Sequence, residues 1–227
     1  MSREIKDFEK WNDEMIKKFD LEHYHENASF VIRFIEKKRT KAILDFLDAR
    51  DEDVILDVGC GAGDILKKIK KGQLFGIDIS SYILDIAKDK LKDKAVSLVK
   101  GDVEQLSEYF PSMKFNKIYC SEVIEHIRNP QKAIQEIGKI VGKDGLAVIS
   151  IPNEGAINFF KKILIKLRIF DFFFQKISKK MDEEWHLHSF GLKLFKNITK
   201  DQFKIIRIKR IPFSFLPLRY VILLKPI

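Results

Sequence analysis

Residues 54–64, VILDVGCGAGD, constrain this chain more than any other stretch. An apolar run ends at Asp57–Val58, glycines follow at 59, 61 and 63, and a helical pattern resumes beyond them. Glycine lets the backbone turn tightly and lets a ligand approach where a side chain would block it. The stretch therefore reads as a buried strand, a turn and a helix, the opening of a doubly wound α/β unit with a crevice at the strand's carboxyl end.

The chain beyond it keeps the same alternation. Short apolar runs at 53–58, 72–79, 95–99, 115–121 and 145–151 read as buried strands, with helices expected at 63–71, 80–92, 122–127 and 130–141. Strands alternating with helices predict a parallel sheet with right-handed crossovers. Two later runs, 203–211 and 219–225, are separated only by PFSFLPL, too short for a crossover helix, so they are expected to pair antiparallel. The predicted fold is α/β: a Rossmann-like, doubly wound, seven-stranded sheet, mostly parallel, with an antiparallel last strand and a helical lid. Residues 4–50 read as helical, because Phe8, Trp11, Met15, Ile16 and Phe19 recur at helical spacing and a second helix runs from about Ala28 to Leu47. A single domain over 1–227 is expected: a helical cap at 1–49, a cofactor-binding core at 50–151, a lid insertion at 152–189, and a last helix and two strands at 190–227.

Composition narrows the class. With 45% hydrophobic and 33% charged residues over 227 positions, the chain can bury a full core and is not a disordered segment. Its formal charge of +9 is compatible with an anionic partner (nucleic acid, an anionic lipid surface or a phosphorylated substrate) and equally with a lysine-rich composition alone. Cys60 and Cys120 are too few for a zinc site, and a chain of this length needs no disulfide. The charged start MSREIKDFEK carries no secretory signal, and no apolar run approaches the roughly 20 residues of a spanning helix. A cytoplasmic protein with reduced thiols is expected.

About twenty residues after the glycines, GIDIS places Asp78 where a carboxylate can hold the two hydroxyls of a ribose. A dinucleotide is disfavoured: counting from Gly59, the sixth fingerprint position is Asp64, whose charge would repel a pyrophosphate at the helix start. No GxxxxGK[ST] loop for a nucleoside triphosphate is present. A cofactor with adenosine, no phosphate and a cationic centre fits better, and S-adenosylmethionine is such a molecule, with Asp57 facing its cationic groups.

These motifs resemble those of class I S-adenosylmethionine-dependent methyltransferases of the broad small-molecule type, over roughly residues 40–227. LDVGCGAGD is similar to the family's first motif and GIDIS to its ribose-binding turn. KGDVEQL resembles the adenine-flanking loop, NKIYCSEVIEHIRNP the fourth-strand motif and GKDGLAVISIPN the fifth strand, while EWHLHSF with the helix and strand after it is similar to the subfamily's late signature. The resemblance implies that Asp57, Gly59, Cys60, Gly61 and Gly63 line the methionine and ribose part, that Asp78 binds the ribose diol and that Ile79 packs on the adenine. Asp102 would accept from the adenine amino group beside Val103, and Cys120, Ser121 and Glu122 would lie near the transferring methyl. Catalysis in such enzymes is largely in-line positioning of an acceptor against an activated methyl.

The stretch CSEVIEHI, residues 120–127, would put Glu122, Glu125 and His126 on one face if it is helical. Three readings stay open. The three residues could ligate a divalent metal, with His186 or His188 as a distal ligand, similar to small-RNA 2′-O-methyltransferases; ubiquinone-pathway O-methyltransferases carry a similar Glu-x-x-Glu-His stretch. His126 could be a general base for an acceptor hydroxyl, with Glu122 and His188 beside it. They could also be a structural edge of the pocket. Alternation would point His186 and His188 the same way if their segment is extended. A divalent metal is an open alternative and not the expectation.

The insertion 157–180 places Phe160, Ile163, Leu164, Leu167, Phe170, Phe174 and Ile177 at helical spacing, with Lys161, Lys162, Lys166, Arg168, Lys176 and Lys179 elsewhere. It reads as a helical cap over the pocket or as an interfacial helix making peripheral contact with an anionic membrane. Nucleic acid is a weaker reading, since no arrangement typical of an RNA module is present. The expected reaction is methyl transfer to oxygen of a small or lipid-linked acceptor. RNA 2′-O-methylation and a non-catalytic, cofactor-binding regulatory protein are the alternatives.

Overall fold

The computed structural model describes residues 5, 7–19, 29–168, 170 and 184–227. Among the described residues, the N-terminal helices α1 (Phe8–Lys18) and α2 (Phe30–Leu47) precede a core of β1 (Val54–Val58), β2 (Gln73–Asp78), α3 (Ser81–Lys90), β3 (Val96–Lys100), α4 (Leu106–Tyr109), β4 (Phe115–Ser121), α5 (Pro130–Ile140) and β5 (Val141–Pro152). Then come α6 (Glu154–Lys166), α7 (Leu192–Thr199), β6 (Phe203–Phe213) and β7 (Leu216–Pro226). One seven-stranded sheet has the order β3-β2-β1-β4-β5-β7-β6. Strands β1 to β5 are parallel, whereas β7 runs antiparallel to both β5 and β6. The fold is the expected Rossmann-like one. Among the described residues no helix is long and apolar enough to cross a membrane.

The sheet's two faces follow from the period-2 alternation of its strands. Leu56 and Val58 of β1 pack with Phe110, Phe115, Ile134, Ile137 and Phe195 on one side. Ile55, between them, packs with Ala42, Ile43, Leu47, Leu84 and Ala87 on the other. Both layers are buried, which is why these strands read as unbroken apolar runs. α5 starts where its sequence says it should: the Asn129 side chain accepts from the Lys132 N–H, and Pro130 occupies the first turn.

Two expected helices are shorter than the sequence suggests. The helix expected at 63–71 is a single 3₁₀ turn, Leu66–Lys68. Gly63 and Gly72 on either side have φ of +76° and +88°, and the Lys94 ammonium donates to the Lys67 and Ile69 carbonyls that a longer helix would use internally. The helix expected at 122–127 is the 3₁₀ turn Ile124–His126, because Glu122 sits at φ +55° and cannot open a right-handed helix. In the lid, the described helix ends at Lys166. The expected continuation through Phe174, Lys176, Ile177 and Lys179 lies outside the described residues, as does the helical reading of 20–28. Of the apolar face read into the lid, Phe170 is buried, Phe160 and Leu164 are half-buried, and Ile163 and Leu167 are exposed.

Candidate active site

Strand order reverses between β1 and β4, and the crevice at that point lies outside the strands' carboxyl ends, where ligands of open α/β sheets bind. The loop after β1 is pinned to β2: the Gly59 and Cys60 N–H groups both donate to the Ile77 carbonyl, at 2.8 and 2.9 Å. Gly59 has φ +73°, and a Cβ there would lie 2.5 Å from Val123. Gly61 also has positive φ, but a Cβ there would meet nothing, because it borders the open crevice. Asp78, at the end of β2, accepts from the Gly61 N–H at 2.9 Å and the Ser80 N–H at 3.0 Å. Burial pushes its carboxyl up, against the pull of those backbone donors. Burial likewise pushes Asp57 well up, opposed by the Tyr119 hydroxyl and reinforced by Asp78 and Asp64. A crevice whose buried carboxylates raise one another is relieved by a cationic ligand, so the donor set suits a sulfonium and ammonium better than a phosphate.

A pocket of about 300 Å³ opens here. Asp57, Gly59, Cys60, Gly61, Asp78, Ile79, Asp102, Val103, Ser121, Glu122 and His126 all line it. Three residues assigned to the site from the sequence do not. Gly63 belongs to the turn, where a Cβ would strike Leu91 at 2.7 Å. Cys120 is fully buried within β4 and part of the core. His188 faces away, its Nε2 donating to the Ile127 and Arg128 carbonyls at 2.9 and 3.1 Å, and it does not reach the pocket where the sequence placed it as a catalytic residue. Asp102 lines the pocket, but its oxygens are already engaged by the Glu104 N–H at 2.8 Å and Arg128 at 2.6 Å. The cap is α1: Asp13 accepts from the Ser80 hydroxyl, Glu9 pairs with Lys100 at 2.6 Å, and Phe8, Asn12 and Ile16 reach the pocket.

The Glu122, Glu125, His126 face expected from spacing does not form. Glu122 accepts from the Ser150 hydroxyl at 2.9 Å and pairs with Arg219 and, at 3.5 Å, Arg39. His186 takes its place beside the other two. Ligand-capable atoms of Glu125, His126 and His186 lie within 4.8 Å of one another. The His186 ring meets His126 edge-on at 4.8 Å, and its Nδ1 is 2.8 Å from Glu154 Oε1. His126 is buried against Trp185, 4.5 Å between ring centroids, and burial together with the charge of His186 pushes its pKa down to about 3. Glu125 is 1% exposed, and among the described residues its Oε2 has no hydrogen-bond partner. Burial and the charge of Glu122 push it up to about 8. The Glu125 carbonyl receives the Leu187 and His188 N–H groups, which fastens 184–188 onto the 3₁₀ turn.

These two shifts oppose each other in stability. His126 is harder to protonate folded than unfolded, so its share of stability is lost as pH falls from its ordinary 6.5 toward about 3. Glu125 is harder to ionise folded than unfolded, so stability falls as pH rises from 4.5 toward about 8. Glu125→Gln is expected to remove the alkaline decline: thermal midpoints at about pH 6 and about pH 9 should converge in the variant and differ in the parent.

Residues 56–149 match the family model described as a methyltransferase domain. The chain is 33% identical over 103 residues to a ubiquinone biosynthesis O-methyltransferase of Dechloromonas aromatica, covering 44% of each, and 26% identical over 130 residues to (S)-coclaurine N-methyltransferase of Papaver somniferum, covering 56% of this chain and 37% of that one. Over its cofactor-binding core the chain is similar to class I S-adenosylmethionine-dependent methyltransferases. It spans less than half the length of these curated relatives. Among solved structures, the methyltransferase fold recurs in the N-methyltransferase NodS of Bradyrhizobium japonicum bound to S-adenosyl-L-homocysteine, at TM-score 0.63 and 16% identity over 85% of this chain and 87% of that one. It recurs also in magnesium protoporphyrin IX methyltransferase of Synechocystis, at TM-score 0.65 and 15% identity over 96% and 95%.

Asp78→Ala is expected to weaken S-adenosylmethionine binding by about 1–3 kcal/mol, the cost of losing hydrogen bonds to a charged group. Calorimetric titration with the cofactor and its demethylated product measures it. An unchanged affinity would place the ribose elsewhere.

Proposed function

We propose that the protein transfers the methyl group of S-adenosylmethionine to an oxygen of a small or lipid-linked acceptor, with His186 as the base that receives the acceptor's proton. The observation that carries this reading is His186, which lines the same pocket as Asp57 and the glycine loop and whose Nδ1 lies 2.8 Å from the buried Glu154 carboxylate behind it. The bound cofactor supplies a methyl already activated on a cationic sulfur. This chain's residues do the rest. Asp57 and Asp78 hold the cationic and ribose ends in one orientation, and Glu154 fixes Nδ1 of His186 so that Nε2 is the proton acceptor. Phe8 and Ile16 of α1, with Trp185, screen the pocket from water.

The relatives include both an O- and an N-methyltransferase, so the oxygen acceptor rests on the base rather than on likeness. A methyl-transfer screen over quinols, lipid-linked sugars and short RNA tests it. Transfer only to amines would overturn it. A second reading puts a divalent cation among Glu125, His126 and His186, favoured by the clustering of their ligand atoms and by the buried Oε2 of Glu125, unpartnered among the described residues. Turnover of an RNA 3′ end that a chelator abolishes and Mg2+ or Mn2+ restores would select that reading; chelator-insensitive turnover would exclude it.

A further inference from the structure

Among the described residues, much of the apolar surface that the fold leaves uncovered lies beside the mouth of the pocket. β5 ends at Pro152, which pairs with Arg219 of β7, so the turn between β6 and β7 projects past the same end of the sheet as the site. Phe213 and Phe215 form that turn with their rings stacked, 5.4 Å between centroids, and Phe215 is 85% exposed. Phe34 of α2 packs against Phe213 at 6.0 Å, and Phe30, one turn earlier on the same helix face, is 66% exposed. Nothing in the active-site chemistry uses these four rings, while Glu36 and Arg39 of the same helix and Arg219 of β7 line the pocket.

The surroundings of the rings are cationic. The Lys38 ammonium lies 4.9 Å from the ring centres of both Phe34 and Phe213. Exposed Arg33, Lys37 and Arg210 flank them. Segment 207–219 holds no acidic residue, and the one acid of segment 30–39, Glu36, is buried and paired with Arg39. α6, which starts at this end, repeats the combination: Phe159, Ile163 and Leu167, four residues apart on one face, are exposed beside Lys162 and Lys166.

We propose that this face docks on a bilayer carrying anionic lipid, with Phe213, Phe215, Phe30 and Phe34 inserted at the headgroup boundary and the basic side chains against the lipid charge. Exposed aromatic rings ringed by lysine and arginine are what interfacial binding requires, whereas an apolar protein partner would not select a rim so one-signed among the described residues. Docked this way, the pocket mouth opens toward the lipid phase, which gives a lipid-linked acceptor a direct entry. The surface stands independently of which atom accepts the methyl group.

The test is co-sedimentation of the full chain, with S-adenosylmethionine present, on vesicles of phosphatidylcholine alone and of phosphatidylcholine with phosphatidylglycerol. The protein is expected to pellet with the mixed vesicles and to stay largely in solution with phosphatidylcholine. Phe215→Ser should lower partitioning about tenfold and the Phe213→Ser/Phe215→Ser pair further. Arg33→Glu/Lys37→Glu should weaken binding and flatten its salt dependence. Because Phe215 is almost wholly exposed, its replacement should leave cofactor affinity and thermal midpoint unchanged, so a folding defect is recognised. No binding to either vesicle by protein that still binds S-adenosylmethionine overturns the proposal. So does binding that the serine variants do not alter, a dimer in solution that Phe215→Ser dissociates, or short RNA that competes with vesicles for the same rings. Failure of methyl transfer to a water-soluble acceptor would count against the proposed reaction and leave vesicle binding untouched.

Discussion

His186→Ala is expected to lower kcat by about 10²–10⁴-fold, the usual share of a positioned base, with S-adenosylmethionine affinity nearly unchanged. Two imidazoles face the acceptor side of the pocket, and the surroundings separate them. His126 is pushed down to about 3 and makes a long 3.4 Å hydrogen bond to the Trp185 carbonyl. A base that weak takes a proton poorly at neutral pH. His186 has Glu154 on its Nδ1, and a carboxylate in that position supports the protonated ring that forms during transfer. His126→Asn should therefore cost less than His186→Ala. Glu154→Gln keeps a partner for Nδ1 and removes its charge, so the acidic limb of the pH–rate profile should move to lower pH. A purely structural role for Glu154 would leave that limb in place. If His186→Ala keeps more than about a tenth of the parent kcat while His126→Asn loses more, the roles of the two histidines are reversed.

The sheet was legible because the central strands β1, β2, β4 and β5 are largely buried and stand out as apolar runs, and the reversed last strand because PFSFLPL cannot hold a crossover helix. The cofactor crevice was legible for a related reason: Gly59, Gly61 and Asp78 act through backbone and strand-end positions that sequence spacing fixes directly. The acceptor side was not. Its arrangement depends on Glu122 adopting a left-handed conformation rare for a side-chain-bearing residue, which turns that carboxylate to Arg39 and Arg219, far away in sequence. The segment 186–188 is bent, so the alternation that would have aligned its two histidines does not apply; His186 goes to Glu154 and His188 to the carbonyls of Ile127 and Arg128. A histidine thirty-two positions from its carboxylate carries no local periodic signal, and only the docking of Leu187 and His188 onto the Glu125 carbonyl brings it in.

Gly59→Ala is the second large effect expected, now on the cofactor. Two costs combine there. A φ of +73° is a conformation alanine adopts at about 1–2 kcal/mol. The new methyl would lie 2.5 Å from a Val123 methyl, an overlap of the kind that costs about 1–3 kcal/mol in a packed region. Stability should fall by about 2–5 kcal/mol. The displacement also loosens the Gly59 and Cys60 bonds to the Ile77 carbonyl and shifts the turn that carries Glu125 and His126. S-adenosylmethionine affinity should fall by about tenfold or more. Val123→Ala in the same chain relieves the overlap and leaves the backbone strain, so the double variant should recover part of the stability and not all of it. Gly61→Ala separates the terms from the other side. Its methyl meets nothing within 4 Å in the protein but projects into the crevice, so affinity should drop by more than the stability loss accounts for. Wild-type affinity in both alanine variants would mean that the loop after β1 does not hold the cofactor, and the assignment of Asp57 and Asp78 would fall with it.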